Sequence, residues 1–135
     1  MIYIQGTFDL FHTGHINLLK RCSELDSVFV SLLTDEAILK YRGKPPIIKY
    51  EDRAAVLLSC RYVDRVIPIN DVANTKEQIG LLNPDYIAVG TDWAKKDIYK
   101  QYGMTREELD SLLIFFPYTK HISSTSIKKK IHDQS

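Results

Sequence analysis

Only two cysteines occur in the 135 residues, and no run of apolar residues approaches the length of a membrane span. The opening MIYIQG lacks the basic start and long apolar stretch of a secretory signal. A cytoplasmic chain is therefore expected, with Cys22 and Cys60 as buried thiols of a reducing compartment and not a disulfide. Neither sign of charge dominates: 18 Lys and Arg face 17 Asp and Glu, for a net charge of +1. No overall field argues for nucleic acid or a membrane surface, although local basic clusters could still hold phosphates. The two commonest glycine-rich phosphate signatures, GxxxxGK[ST] and GxGxxG, are both missing. So are internal repeats, low-complexity segments and interdomain linkers, which leaves one domain over residues 1–135 as the expectation.

What is present alternates. MIYIQ is a short strand pattern. From Gly14 the period changes: Ile16, Leu18, Leu19, Cys22 and Leu25 recur at helical spacing. SVFVSLL is a nearly continuous apolar run, suited to a strand buried on both faces. Thr34 can cap a short helix through Leu39, and the Gly-Pro-Pro punctuation of KYRGKPPIIKY predicts a loop. EDRAAVLLSCRY reads as helix. DRVIPIN reads as a strand whose Pro68 belongs at an end or edge. Asn74 and Glu77 form a capping-box pattern for a helix to about Leu82, stopped by Asn83 and Pro84. DYIAVG is a strand ending at Gly90. Residues 91–110 predict a helix, a break and a second short helix capped at Thr105. SLLIFFP is the last strand, and SSTSIKKKIHD the last helix. Five strands alternating with helices imply a doubly wound, Rossmann-like α/β domain with a parallel sheet. In such sheets ligands sit off the C-terminal strand ends. That rule brings residues 6–15, 90–93 and 118–125 to one rim.

On that rim GTFDLFHTGH follows the first strand. Gly6 lets a ligand approach the backbone, Thr7 and Phe8 offer N–H groups, and Gly14 and His15 lie in the first helical turn, where free N–H groups and the dipole favour an anion. His12 and His15 can donate to phosphate oxygens. The residues alone thus read as a phosphate cradle. Ordinary helix-start histidines are the structural alternative, and a zinc site is a further one with no clear third ligand.

GTFDLFHTGH resembles the HxGH signature of the nucleotidyltransferase superfamily, and in particular of cytidylyltransferases of the small bacterial glycerol-3-phosphate type. LTDEA, KYEDRAAVLLSCRYVDRVIP, VGTDW and HISSTSIKKKI are similar to that family's later segments, in order and over nearly the whole chain. The resemblance implies that a phosphate oxygen of a small phosphorylated substrate attacks the α-phosphorus of CTP or another nucleoside triphosphate. Pyrophosphate leaves, with Mg2+ carried by the triphosphate. It implies catalytic roles for His12, His15 and Lys44. It places Gly6, Thr7, Phe8, Asp9, Gly14, Gly90, Asp92, Tyr118, Thr119, Ile122, Ser123, Ser124 and Thr125 around the nucleotide. Arg42, Arg61 and Lys76 become candidates for the acceptor. Arg61 has a surface helix-end reading beside the functional one, Asp9 is expected to orient its loop or approach the metal, and Lys128, Lys129 and Lys130 read as a solvated face. A homodimer is also implied.

Three departures stand out. YTKH, residues 118–121, replaces the family's Arg-Thr-x-Gly, so the arginine that offers phosphates a planar charged fork is a tyrosine here. Lys120 or His121 is the expected compensation. Thr91 replaces an aspartate, and the segment 94–111 is longer than in the short family members. The alternatives are an adenylyltransferase of the same superfamily, acting on flavin mononucleotide or another phosphate, and a nucleotide-binding module without catalysis.

Overall fold

A computed structural model of the chain describes residues 1–90, 98–117 and 119–134. Five strands, β1 (Ile2–Gly6), β2 (Val28–Leu33), β3 (Arg65–Ile69), β4 (Tyr86–Gly90) and β5 (Leu113–Phe116), form one sheet of order β3-β2-β1-β4-β5. All pairings are parallel, with Gly6 opposite Leu32, Ile4 opposite Ala88, and Gly90 opposite Phe116. The chain therefore winds outward from β1 in both directions, and the switch lies between β1 and β4, where the loop after β1 faces open space. Pro68 lies in β3, an edge strand, where its missing N–H costs no ladder bond.

The helices are α1 (Thr13–Ser23), α2 (Asp35–Arg42), α3 (Tyr50–Ser59), α4 (Thr75–Leu82), α5 (Ile98–Tyr102), α6 (Arg106–Leu109) and α7 (Ser124–Gln134). Strand alternation sorts the sheet's side chains between two cores. Ile2, Ile4, Val28, Val30 and Leu32 pack with Leu19 and Cys22 of α1 and Leu57 of α3. Tyr3, Ile87 and Val89 pack with Ile79, Ile98, Tyr102 and Leu109 on the opposite face. Burial on both faces explains why the central strands read as continuous apolar runs and not as alternation.

Most expected boundaries hold, with local corrections. Thr34 does cap α2 by accepting from Ala37 N–H, but the helix continues to Arg42 and closes on Gly43 at φ 79°. Arg42 is thus a helix-end side chain and Lys44 a loop one. α3 ends at Ser59, so Cys60 is its half-buried C-cap residue; Cys22 is fully buried, and both thiols are free. The Asn74 capping box does not form. A 3₁₀ turn, Val72–Asn74, capped by Asp71, feeds straight into α4 and leaves Asn74 at φ −89°, ψ 4°, outside the extended geometry an N-cap needs.

Candidate active site

The two histidines of GTFDLFHTGH cap their own helix. His12 is the N-cap of α1, and its Nδ1 accepts the Gly14 N–H at 3.0 Å. His15, three residues on, returns the favour: its Nδ1 accepts the His12 N–H at 3.1 Å. This is a capping box built from two imidazoles. An imidazole nitrogen that accepts carries no proton, so each neutral ring holds its proton on Nε2. The rings stack with centroids 3.9 Å apart. Burial, with the neighbouring His12 second, drives the His15 pKa down to about 3, and burial lowers that of His12 as well. Both rings are therefore neutral at pH 7, with two Nε2–H donors set side by side.

The glycine between them has a steric reason. A Cβ on Gly14 would come within 2.7 Å of His12 Cε1 and 2.9 Å of its Nδ1, so any side chain there would displace the capping ring. Gly6 is explained differently from the sequence expectation. The Phe8 ring, and not a ligand, occupies the space a Cβ would enter, 3.0 Å away. Phe8 itself is buried and held at φ 47°, as Leu10 is at φ 54°, so the loop around Asp9 is tightly wound.

Asp9 is 1% exposed. Its two carboxylate oxygens accept the N–H groups of Ile47 and Ile48 at 2.8 and 3.0 Å. It thus fastens the loop after α2, which carries Lys44, against the HxGH turn. Its own carbonyl accepts the Ser124 hydroxyl at 2.6 Å, which ties down the start of α7. Of the two expected roles the structure displays the loop-orienting one. Arg53 completes this frame and was not singled out by the sequence reading. Its side chain is wholly buried and donates to the carbonyls of Thr7, Leu33 and Ile48 and to Asp35 Oδ1, each at 2.8 Å. The sequence did carry a signal. Arg53 lies four residues before Leu57 and three after Tyr50, on the face of α3 that packs inward. A charge on a buried stripe calls for partners.

Above this frame opens a cavity of about 820 Å³. It gathers Thr7, His12, Gly14 and His15 from the first turn, and Arg42 and Lys44 from the end of α2 and its loop. Thr119, Ile122, Ser123, Ser124 and Thr125 close it from the far end of the chain. Thr119 is held to α1 by Asn17, whose amide donates to its hydroxyl at 3.0 Å. Ser123 and Ser126 cap each other reciprocally, at 2.9 and 3.0 Å. That leaves the first-turn N–H groups of Ser124 and Thr125 without an intrahelical partner and at the cavity wall. Leu18, Phe116, Pro117 and His132 add lining that the sequence did not single out. Phe116 and Pro117 could have been found from the strand-end rule alone.

Other sequence candidates lie elsewhere. Gly6, Phe8 and Asp9 are beneath the cavity, not in its wall. Arg61 falls between α3 and β3, at the N-terminal edge of the sheet and so on the opposite rim, stacked over Tyr62 at 5.2 Å. Lys76 is on the C-terminal rim in the first turn of α4, but its ammonium faces Glu108 at 3.4 Å. Gly90 ends β4 beside Phe116. Asp92 and Tyr118 lie outside the described residues, as do Thr91 and Trp93. The main addition concerns α7: Lys129 and Lys130 are exposed, as a solvated face requires, but Lys128 is half-buried, both Lys128 and Lys129 line the cavity, and Lys128 stands 3.7 Å from Asp9 Oδ2.

A family model described as cytidylyltransferase-like matches residues 3–130. The chain belongs to the cytidylyltransferase-like family. Among members of known activity, it is 37% identical over 127 residues to a glycerol-3-phosphate cytidylyltransferase of Bacillus subtilis (strain 168), covering 93% of this chain and 92% of that protein. It is 44% identical over 92 residues to an FAD synthase of Pyrococcus abyssi (strain GE5 / Orsay), covering 67% of this chain and 62% of that one. A crystal structure of the lipopolysaccharide core biosynthesis protein from Thermoplasma volcanium GSS1 superposes with a TM-score of 0.67 at 23% identity, over 90% of this chain and 97% of that chain. That likeness concerns the fold alone. The chain is a nucleotidyltransferase, and its described residues include no helix long and apolar enough to cross a membrane.

Proposed function

We propose that this protein transfers CMP from CTP to a small phosphorylated alcohol such as glycerol 3-phosphate, forming a CDP-linked product and pyrophosphate. One observation carries the chemistry: two neutral imidazoles, locked as Nε2–H donors, stand at the mouth of a helix N-terminus in a cavity edged by cations. Negative charge grows on the oxygens of the α-phosphorus as the acceptor oxygen attacks in line. Donors fixed beforehand stabilise it without reorganising. Lys44 and Arg42 reach in from the loop side, and the free N–H groups of Ser124 and Thr125 from α7. Leu18, Phe116, Pro117 and Ile122 form an apolar wall on which a flat base can rest.

The full-length likeness to glycerol-3-phosphate cytidylyltransferase supports CTP and a phosphorylated alcohol. The higher identity to FAD synthase over a shorter stretch keeps transfer of AMP to a flavin phosphate as the second reading. Magnesium belongs to the proposal only as the ion of the triphosphate. None of the described residues is assigned to that ion, since both oxygens of Asp9 accept backbone N–H groups. A homodimer and a cytoplasmic location complete the reading; the two free cysteines agree with a reducing compartment.

The test is pyrophosphate release with each of the four nucleoside triphosphates against glycerol 3-phosphate, other phosphorylated alcohols and flavin mononucleotide. Turnover with CTP and a phosphorylated alcohol is expected, and His15→Ala should lower it by on the order of a hundredfold. Turnover with ATP and the flavin alone would establish the second reading, and binding without turnover would refute both.

A further inference from the structure

The signature arginine is missing, yet the cavity is not short of charge. Arg42, Lys44, Lys128 and Lys129 all line it, and among the described residues no carboxylate does. Asp9, beneath, is spent on two backbone N–H groups and lies within 3.7 Å of Lys128. Lys128 is thereby partly neutralised. Among the described residues no carboxylate pairs with Lys129, which is exposed toward solvent along the same wall. The two residues expected to compensate, Lys120 and His121, are exposed and do not reach the cavity.

The geometry of α7 explains why Lys129 does. Thr125, Lys129 and His132 follow one another at spacings of four and three, and Ser124 and Lys128 at four, so a single helical face looks into the cavity. Lys130 falls off that face. Lys129 is five residues beyond Ser124, about 7.5 Å along the axis. Helical side chains lean toward the N-terminus, so the ammonium is carried back toward the free N–H groups of Ser124 and Thr125, where an anion binds best.

We propose that Lys129 is a phosphate-binding residue of this cavity and supplies, from the second turn of α7, the positive charge that the family signature takes from an arginine at position 118. The inference shares the triphosphate reading of the cavity but goes beyond it, since it names a residue outside the signature. An ammonium is a point charge and cannot replace the bidentate fork, so it should tighten binding more than it orders the transition state.

The experiment is titration of the full chain with inorganic tripolyphosphate, followed by calorimetry, for the wild type and the variants Lys129→Gln, Lys129→Arg and Lys130→Gln. Lys129→Gln should weaken binding about tenfold, the effect of one lost charge-assisted contact. Lys129→Arg should stay close to the wild type, and so should Lys130→Gln. Adding Tyr118→Arg to Lys129→Gln should recover most of the loss. Unchanged binding in Lys129→Gln would overturn the proposal. So would an equal loss in Lys130→Gln, which would reveal only the overall field. Wild-type protein that binds tripolyphosphate through Lys129 yet turns over no nucleoside triphosphate would sink the transferase reading and leave this inference standing.

Discussion

At the scale of single residues, His15 is both a structural and a chemical group, and the two roles share one ring. Its Nδ1 holds a backbone N–H of the helix start, and its Nε2–H faces the cavity. Burial keeps the folded-state pKa near 3, against an ordinary value of 6.5. As pH falls below that ordinary value, the unfolded chain takes up a proton that the folded chain refuses, and stability is lost progressively down to the folded pKa. The depressed value of His12 acts in the same direction. Urea midpoints should therefore be lower at pH 5.5 than at pH 7.5, and the drop should shrink in His15→Asn, which keeps an acceptor for the His12 N–H. An undiminished drop in that variant would assign it to other groups. The pattern H-x-G-H was legible in the sequence as an anion site. Why the glycine is needed was not, because the 2.7 Å clash that a Cβ would make with the His12 ring exists only once His12 turns back to cap.

At the scale of elements, the catalytic turn depends on a buried frame. Arg53 of α3 collects the carbonyls that end β1 and β2 and the one at Ile48, and Asp9 holds the same loop by its N–H groups. Together, with Asp35 as a further partner of Arg53, they join the first strand end, the Lys44 loop and the start of α2. Arg53→Lys keeps the charge but offers one nitrogen where three now donate, so several carbonyls lose their partners. A loss of at least ~3 kcal/mol in urea unfolding is expected, with a raised KM for the triphosphate as the Lys44 loop comes loose. Stability within 1 kcal/mol of the wild type, as a rough threshold for an ordinary surface change, would deny the frame its role. Most elements were readable from period and punctuation, since Thr34, Gly43, Asn83 and Thr105 all terminate or cap helices as their residue types suggest. The start of α4 at Asn74 and its end at Leu82 were read correctly, but the Asn74 side chain makes no capping bond, because Asp71 captures the chain first and sets up a 3₁₀ turn.

At the scale of the whole molecule, the parallel topology follows from the alternation of strands and helices, and the site's location follows from the strand ends. What the sequence concealed is which faces meet. Residues from 7–18, 42–44, 116–117 and 119–132 build one cavity across the switch between β1 and β4. Only three-dimensional packing separates Arg61, on the far rim, from Arg42, on the near one. Only the phase of α7 separates Lys129 from Lys130. The second distinction is a rotation by a fraction of a turn, which composition and spacing near a helix end do not resolve; the first is a matter of opposite ends of the sheet.

The double cap at the start of α1 also limits what the enzyme can ask of water and substrate. With each Nδ1 taken by a backbone N–H and each Nε2 already protonated, neither signature histidine can remove a proton from an attacking group. Asp9 is equally committed. The acceptor must then arrive as a ready-made dianion, and the second ionisation of a phosphate monoester, near pH ~6, becomes a property of the reaction. Rates at limiting acceptor should fall on the acid side with that ionisation. Replacing the ester by a phosphonate of higher pKa should carry the fall to higher pH. A fall that does not move would belong to the protein and not to the acceptor. In this sense the acid limit of turnover is set by the metabolite and not by the fold.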